Sequence, residues 1–504
     1  MLRDGNKRRE GRVKKTAVVV GAGLGGLSTA IRLQHAGWQV TVLEKNHQVG
    51  GRCRTVQQDE FVFDAGPTLL LMPDVLHSLF RSVGRELDDY LELLRCRPNY
   101  RLTFGDGSRL DVSSDMDSMS DQLDAIEPGS GDSLRRYLAD AGYKYRVARK
   151  RFVERNFRHW SEFLTLQNLY FMQKTHTLRN LDSHVRSYFR DPRLALAFTF
   201  QTMYLGLAPH DAPSVYSLLP YTEMVEGIWH PRGGMGRISE VLLDLATELG
   251  AAVETSVEVS RVTSQGRRVT GVETLDGRLV AGDVLVMNAD LPYAYRHLLP
   301  GDRSRRSVRR LNKLDYGSSA FLLYLGLDRR YPDLVHHNAF LSTDPTENFD
   351  AIFRRKELPV DPSIYVCAAG RTDPSMAPVE KDALYVLVPV SALNGNIRWE
   401  RDAGAFRDRI LDKLESSGLS DLREHIVSER VFTPEDFATT YNTARGNAFG
   451  ISHGFWQIGY MRPGNKASEL DNLYFVGAST VPGGGVPMVV IGSKLVAERV
   501  REDA

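Results

Sequence analysis

The sequence is short of several features that would place it in other protein classes. It holds three cysteines, Cys53, Cys96 and Cys367, which lie far apart and show no metal-ligand spacing. They fit a reducing cytosol, in which thiols stay free. No stretch reaches eighteen uninterrupted apolar residues, so no membrane span is predicted. A formal net charge of +1 argues against nucleic acid or a strongly acidic partner. The N-terminus lacks the apolar core of a signal peptide, which favours a cytoplasmic protein.

The length and composition are sufficient for a large core. The chain has 504 residues, of which 42% are apolar, so two domains are expected. Residues 1–15 form a basic N-terminal arm, rich in arginine and lysine. We favour a solvated arm over one that is weakly attracted to an anionic membrane surface.

The most informative stretch begins at the β-branched run Ala17–Val20, which predicts a buried parallel strand. The pattern Gly21-x-Gly23-x-x-Gly26 follows directly. In a dinucleotide-binding turn, Gly21 permits the tight turn, Gly23 lets the backbone approach a pyrophosphate, and Gly26 allows close helix–strand packing. The strand and glycines therefore predict a Rossmann-type unit.

A helix is predicted over 24–36, since its apolar residues recur at helical spacing. A second strand, Val40–Leu43, ends at Glu44, where the motif expects an acid bonded to a ribose hydroxyl. The carboxylate disfavours a 2′-phosphate and therefore NADP. An ordinary βαβ unit without a nucleotide is the alternative. The next glycine pair, Gly50-Gly51-Arg52, resembles that of the glutathione-reductase-like flavoproteins, in which the arginine lies close to the FAD diphosphate.

The nucleotide-type pattern stops between residues 87 and 221, which read mostly as helix. This stretch contains the apolar run Phe163–Met172, which is too short to span a bilayer. We interpret it as a buried helix, with a membrane-touching or substrate-lining surface as the alternative.

Strand patterns resume at Ala252–Val259 and Val284–Met287, so the nucleotide domain is interrupted and continues. A second interruption carries the strand patterns Ala320–Leu325 and Ala383–Val390. We predict a discontinuous cofactor domain over 16–95, 223–300 and 441–504, and a substrate domain facing the membrane over 96–222 and 301–440.

The C-terminal region repeats the order strand, glycine-rich loop and helix. Asn472–Val476 is the predicted strand, residues 477–487 the loop, and Met488–Val500 the helix. This order builds a second amide-lined anion site.

Other chemistries find little support. Residues 450–454 match G-x-S-x-G, the nucleophile elbow of α/β-hydrolases, but no histidine follows His453, so we treat the match as chance. His336 and His337 are adjacent, and no metal-ligand set is apparent around them. No metal site is predicted.

Taken together, the motifs resemble those of the bacterial carotenoid (phytoene) desaturase family over nearly the full length. They are GAGLGGLSTA with VLEKNHQVGGR, FDAGPT, PRGGMG, DVLVMNADLP, GNAFG, Met461-Arg462-Pro463 and NLYFVGASTVPGGGVP. The resemblance implies an α/β fold, a glutathione-reductase-like two-domain flavoprotein whose Rossmann-type FAD domain is interrupted by a substrate domain of mixed sheet and helices. It also implies FAD contacts by Gly21, Gly23, Gly26, Glu44, Lys45, Gly51, Arg52, Val257, Gly477, Gly485, Val486, Pro487 and Met488.

The implied reaction is desaturation of a long, acyclic carotenoid such as phytoene at a membrane surface. Hydride passes to flavin and the electrons go on to oxygen or a quinone; no catalytic residue is identified. One departure is Val481, where the family commonly has histidine in T-H-P-G. Alternatives on the same fold are a carotenoid isomerase or polyene saturase, a flavin amine oxidase, and a prenyl-protein escort of the GDP-dissociation-inhibitor type.

Overall fold

The computed structural model describes residues 15–177, 179–299 and 301–504, so residues 1–14 of the predicted basic arm lie outside the described part. The strands within it are β1 (Thr16–Val20), β2 (Gln39–Leu43), β3 (Thr55–Gln58), β4 (Phe61–Asp64), β5 (Leu93–Arg95), β6 (Tyr100–Thr103), β7 (Arg109–Val112), β8 (Trp229–Pro231), β9 (Ala252–Glu254), β10 (Val259–Gln265), β11 (Arg268–Thr274), β12 (Leu279–Ala281), β13 (Val284–Met287), β14 (Ser319–Leu327), β15 (His337–Phe340), β16 (Ile364–Cys367), β17 (Asp382–Val390), β18 (Ile426–Phe432) and β19 (Leu473–Phe475).

The α-helices of the same residues vary widely in length. They are α1 (Leu24–His35), α2 (Asp74–Arg81), α3 (Met116–Ile126), α4 (Ser130–Ala148), α5 (Trp160–Phe163), α6 (Leu166–Lys174), α7 (Leu181–Val185), α8 (Pro192–Ala197), α9 (Leu218–Tyr221), α10 (Gly236–Glu248), α11 (Leu291–Tyr293), α12 (Gly301–Asn312), α13 (Pro345–Phe349), α14 (Trp399–Ser416), α15 (Pro434–Tyr441) and α16 (Val486–Asp503). None of these helices is long and apolar enough to cross a membrane.

The first sheet is parallel throughout and has the order β19-β13-β1-β2-β9. In β1, Ala17 and Val19 pack into the core formed with α1, α10 and α16. Val18 and Val20 face the opposite side, into the core shared with the small antiparallel sheet β10-β11-β12. Both faces are covered, which explains why β1 reads as a continuous apolar run.

The second sheet is mixed and has the order β18-β14-β17-β16-β15-β6-β7. Strands β14 and β17 pair over nine residues each, and every residue of β14 is buried. One face packs on α14 through Phe321, Trp399 and Phe406. The other face packs on the β3–β4 hairpin, with Phe63 edge-on to Tyr324. The predicted α/β class, with a parallel sheet and a mixed one, is confirmed.

Three local predictions need correction. The stretch 87–221, predicted to be mostly helical, also contains β5, β6 and β7, of which β6 and β7 extend the mixed sheet. The predicted strand 252–259 divides into β9 and the start of β10, with Ser256 at φ 57° between them. The buried helix over 163–172 is wrong, since Leu166 is 88% exposed and Leu169 and Tyr170 are also exposed.

Candidate functional site: one cavity with a polar and an apolar end

A cavity of about 1280 Å³ is lined by residues of both the parallel sheet and the seven-stranded mixed sheet. Its volume exceeds the several hundred cubic ångströms that suffice for a small ligand. The two predicted glycine clusters, which residues 53–476 separate in the chain, meet on its wall. The predicted site residues on this wall are Gly21, Gly23, Glu44, Lys45, Gly51, Arg52, Val257, Gly477, Gly485, Val486, Pro487 and Met488.

The three glycines of the first turn have separate structural reasons. Gly21 adopts φ +98°, a conformation that other residues rarely take. A Cβ on Gly26 would lie 2.0 Å from the Gly21 carbonyl oxygen, so Gly26 packs helix against strand behind the cavity wall. A Cβ on Gly23 would lie 2.8 Å from Oδ1 of Asn288. The turn therefore has no room for a larger side chain at Gly23 or Gly26.

Two helix N-termini reach the cavity without a side-chain cap. Helix α1 begins after Gly23 and α16 begins after Gly485, and neither residue offers a capping side chain. The first N–H groups of a helix have no partner within it and carry a partial positive charge. Leu24 and Gly25 of α1, together with Val486 of α16, line the cavity. Both ends can thus accept electron-rich groups such as phosphate oxygens.

Glu44 lies at the end of β2 and is only 5% exposed. Its Oε2 accepts a hydrogen bond from the Ala22 N–H (2.8 Å), and its Oε1 accepts from the backbone and side chain of Asn46 (3.0 and 2.9 Å). These contacts hold the carboxylate at the cavity wall, and a carboxylate can accept further bonds. The geometry suits the ribose contact that the motif predicts.

Lys45 and Val257 also reach the wall, but their polar groups already have protein partners. Lys45 Nζ donates to the carbonyl oxygen of Thr439 and to Oδ1 of Asn442, both at 3.1 Å. Burial lowers the pKa of this ammonium. The Val257 N–H donates to the Glu44 carbonyl oxygen at 2.8 Å. A contact between Val257 and an adenine would therefore use its other atoms.

Arg52 connects the glycine turn to the opposite loop. Its Nη1 donates to the Ala448 carbonyl oxygen at 2.6 Å. Nearby Asp290 accepts from the Ala444 N–H (2.9 Å) and from the Ser479 hydroxyl (2.8 Å). Burial lowers the pKa of Arg52 and raises that of Asp290, while each charge favours the other. The guanidinium keeps further N–H groups that could meet an anion in the cavity.

Sequence reasoning missed two residues that shape this end. Asn288 follows β13, lies against Gly23 and Gly26, and donates from Nδ2 to the Val476 carbonyl oxygen (2.9 Å). Arg462 is 1% exposed and donates to five carbonyl oxygens, those of Ile451, Ser452, Gln457, Ala478 and Thr480. Burial lowers its pKa to about 10, so it stays charged at neutral pH. Asn288 lies in the motif DVLVMNADLP and Arg462 in Met461-Arg462-Pro463, and this membership is the only indication of their role in the sequence.

The other end of the cavity is apolar. Its wall is formed by aromatic and aliphatic side chains, including Phe152, Phe163, Met172, Phe200, Met203, Leu205, Leu218, Leu219, Leu341 and Leu387. The phenols here have protein partners: Tyr385 donates to the Gly66 carbonyl oxygen (3.0 Å) and Tyr216 to that of His453 (3.3 Å). Burial raises the pKa of Tyr385 well above its usual range. This end suits a long, uncharged molecule.

Phe163 of α5 and the exposed side chains of Trp456, Tyr460 and Met461 also line the cavity, and we call this part of the wall its mouth or rim. The exposed fractions around it are high, with Trp456 at 80% and Trp160 at 65%. An apolar rim of this kind is unusual on a protein surface and marks an interaction site.

The hydrolase-like match at residues 450–454 has no catalytic geometry. His453 Nδ1 faces the Leu205 carbonyl oxygen (3.4 Å), and its Nε2 accepts from the Gly484 N–H (3.3 Å). Burial lowers the pKa of His453 well below its usual range. The imidazole therefore supports the glycine loop and is occupied by backbone groups, in agreement with a chance match.

The histidine pair differs from expectation. Cys96, His336 and His337 are all buried, and their potential metal-ligand atoms lie within 4.8 Å of one another. No sequence pattern indicates this set, because Cys96 and the histidine pair belong to segments far apart in the chain.

Comparison with known proteins agrees with the geometry. Residues 24–501 match the family described as flavin containing amine oxidoreductase. A zeta-carotene-forming phytoene desaturase of Myxococcus xanthus is 44% identical over 484 residues, which cover 96% of this chain and 93% of the relative. The 4,4'-diapophytoene desaturase (4,4'-diaponeurosporene-forming) of Staphylococcus haemolyticus is 38% identical, with 96% and 98% covered.

Solved structures share the fold at low identity. Putrescine oxidase bound to putrescine superposes with a TM-score of 0.62 at 16% identity, with 97% of this chain and 99% of the other covered. The RAB GDI of Plasmodium falciparum gives a TM-score of 0.55 at 11% identity, with 97% and 98% covered. These likenesses show the two-domain α/β flavoprotein fold alone, whereas the sequence relatives are more specific. The chain therefore belongs to the flavin containing amine oxidoreductase family and, within it, to the FAD-dependent phytoene and carotenoid desaturases.

Proposed function

We propose that this protein uses FAD to desaturate an acyclic carotenoid such as phytoene. The observation that carries the proposal is the cavity itself, which joins an end lined by backbone amides and a carboxylate to a long apolar end. The near-full-length identity to phytoene desaturases supports the substrate class. Hydride acceptance is the chemistry that the flavin supplies when bound.

The polar end is proposed to hold the cofactor. The free N–H groups at the start of α1 and the guanidinium of Arg52 are placed for the diphosphate, and Glu44 is placed for the adenosine ribose. Gly26 supports this turn from behind, while Lys45 and Val257 flank the adenosine end. The loop Gly477 and Gly485–Met488, at the start of α16, is proposed to lie along the ribityl chain and the flavin ring.

The apolar end is proposed to orient the substrate and exclude water. A carotenoid has no charged group to anchor, so shape and apolar contact must place the reacting bond against the ring. Two polar groups of this end are already engaged: burial raises the pKa of the Tyr385 phenol, which donates to the Gly66 carbonyl oxygen, and both ring nitrogens of His453 face backbone groups. We assign no catalytic residue, and the proton that leaves the substrate passes to water or to a base still to be identified.

We also propose the division of the chain. Residues 16–95, 223–300 and 441–504 form the FAD domain, and 96–222 with 301–440 form the substrate domain. In support, every strand of the parallel sheet falls in the first group and every strand of the seven-stranded sheet in the second, among the described residues.

The mouth of the cavity is proposed to rest on a membrane. Trp456, which is 80% exposed, lines the cavity together with Arg155 and Arg158, and Leu166 of α6 is 88% exposed. An apolar rim with cationic neighbours suits the interface of an anionic bilayer. Substrate would enter from the lipid, and a quinone or oxygen would take the electrons. The protein would then be cytoplasmic and peripheral to the membrane.

The test is anaerobic mixing of the purified flavoprotein with liposome-delivered phytoene, ζ-carotene, lycopene and hydroxylated acyclic carotenoids in parallel. At least one of these carotenoids should bleach the flavin absorbance and be converted into a more conjugated polyene with red-shifted absorbance. Oxygen or a quinone should restore the flavin, and NAD or NADP should not replace them.

Each other outcome identifies a different function. A changed cis/trans composition without bleaching would overturn desaturation in favour of an isomerase. Bleaching by a primary amine, with no carotenoid reacting, would favour an amine oxidase.

The Gly23→Val substitution tests the proposed cofactor position, because the valine side chain would meet Asn288 and obstruct the turn. A Gly23→Val protein that keeps full flavin occupancy would contradict that position.

A further inference from the structure

A buried cluster of metal-ligating side chains lies behind the apolar end of the cavity. Cys96 follows β5, and His336 and His337 stand at the start of β15. Parallel pairing of β15 with β6 brings the two segments together. Cys96, His336 and His337 are 0%, 2% and 0% exposed, and their ligand atoms lie within 4.8 Å of one another.

Hydrogen bonding leaves this cluster incomplete. His337 Nδ1 contacts the Tyr365 hydroxyl at 2.7 Å, and its Nε2 lies 3.6 Å from Cys96 Sγ. Neither ring nitrogen of His336 has a hydrogen-bond partner among the described residues, and the same holds for buried His230. The rings of His230 and His336 are 4.8 Å apart. Buried polar atoms are seldom left unpaired, so the two ring nitrogens of His336 point to a missing partner.

We propose that Cys96, His336 and His337 bind one transition-metal ion of the zinc class, with the His230 ring packed beside His336. Thiolate and imidazole ligands suit Zn²⁺ and disfavour Mg²⁺ and Ca²⁺, which take oxygen ligands. The ion takes no part in the proposed hydride transfer to flavin.

The distances are near those of a tetrahedral site. A zinc-bound sulfur and nitrogen, at about 2.3 and 2.0 Å from the ion, lie about 3.5 Å apart. The Cys96–His337 separation of 3.6 Å already fits. His336 needs an approach of at most about 1.5 Å, since the whole set lies within 4.8 Å. Coordination replaces the S–H bond of Cys96 by a sulfur–metal bond and releases one proton to solvent.

The surroundings supply the contacts that a metal site needs. A ligating histidine usually donates its other ring N–H to an outer group, and His337 meets the Tyr365 hydroxyl in this way. A dication with one thiolate keeps one positive charge. Buried Asp373 can offset it, since its Oδ2 lies 3.7 Å from His230 Nε2. Tyr365 and its partner Thr68 line the cavity, so the ion would also fix part of the substrate wall.

The experiment measures metal content in the full-length flavoprotein, expressed with zinc in the medium and purified without chelator or affinity tag. We expect about one zinc per chain and, in X-ray absorption at the zinc edge, one sulfur at about 2.3 Å with nitrogens at about 2.0 Å. Cys96→Ser and His336→Gln should lose most of the zinc. Cys53→Ser is the matched control, a buried cysteine outside the cluster, and should keep it.

Several outcomes would overturn the proposal. Wild-type protein without stoichiometric transition metal, even after incubation with equimolar zinc, would mean that only water satisfies the imidazoles. Bound zinc without a sulfur neighbour would exclude Cys96 as a ligand. If the variants fail to fold, seen as loss of flavin absorbance, the metal content and absorption spectrum of the wild type still decide the question.

Discussion

The two ends of the cavity are built on different principles. The polar end is made of backbone: two helix starts, tight glycines and one fixed carboxylate. The apolar end is made of side chains carried by many elements, from α4 to β17. Backbone geometry tolerates no added atom, whereas apolar side chains can be exchanged if the volume is kept. We therefore expect single substitutions to lower stability and flavin binding strongly at the polar end and only slightly at the apolar end.

The largest effect is expected from Gly26→Ala. The added methyl carbon would lie 2.0 Å from the Gly21 carbonyl oxygen, so strand and helix must separate. We expect a loss of more than about 3 kcal/mol in the free energy of unfolding and no bound flavin. Denaturant unfolding and the flavin absorbance of purified protein measure both. Gly404→Ala in α14, with nothing within 4 Å, is the control and should be neutral. A Gly26→Ala protein with normal flavin content would contradict the claim that the polar end is less tolerant of substitution than the apolar end.

The second effect comes from Glu223, which is buried near the apolar end. Burial raises its pKa from an ordinary 4.5 to about 8, although Tyr100 and Gln201 donate to it. A raised pKa favours the folded state only while the carboxyl is protonated, so this contribution is full below pH 4.5 and is lost as the pH rises through 8.

Glu223→Gln should remove that pH dependence. We expect the variant to match the wild type near pH 5 and to exceed its free energy of unfolding by on the order of 2–4 kcal/mol near pH 9. Urea titrations at both pH values give the comparison, with exposed Glu400→Gln as the control. Equal pH slopes for variant and wild type would refute the assignment.

A smaller effect is expected from Glu44→Gln at the polar end. The amide keeps one acceptor but loses charge and one of the contacts to Ala22 or Asn46. FAD affinity should fall about ten-fold, close to 1.4 kcal/mol. Fluorescence titration of the flavin-depleted protein measures this. Glu254→Gln, on the neighbouring strand β9, should leave affinity unchanged; an unchanged affinity for Glu44→Gln would argue against the ribose contact.

The smallest effect on stability is expected at the rim. Leu166→Ser with Trp456→Ser should change the free energy of unfolding by no more than about 0.5 kcal/mol per site, because both side chains are exposed. Flotation with anionic liposomes at low salt should nevertheless drop strongly. Val379→Ser, at an 88% exposed apolar residue elsewhere, should float like the wild type. Equal flotation of the wild type, the rim variant and Val379→Ser would show that the rim does not bind the membrane.

The same contrast explains what the sequence could predict. The β1 strand, α1 and Glu44 follow from contiguous patterns, and their positions agree with prediction within a residue or so. The partners of Arg462 are backbone carbonyl oxygens, which no sequence pattern marks, and the Cys96 cluster joins segments that meet only in the folded chain. The exposure of the run 163–172 could not be predicted, because an apolar helix looks the same in sequence whether it packs into a core or lies at the surface.

Strand order has a consequence for how the protein acquires its cofactor. The glycine turn after β1 and the loop after β19 face one another across the cavity, with residues 53–476 between them in the chain. Contacts this distant in sequence form late and slowly. A nucleotide that touches both walls binds only the fully assembled sheet and stabilises it by mass action. Flavin absorbance that is retained after purification therefore reports complete folding. The supply of cofactor during synthesis should determine the fraction of the protein that folds without aggregating.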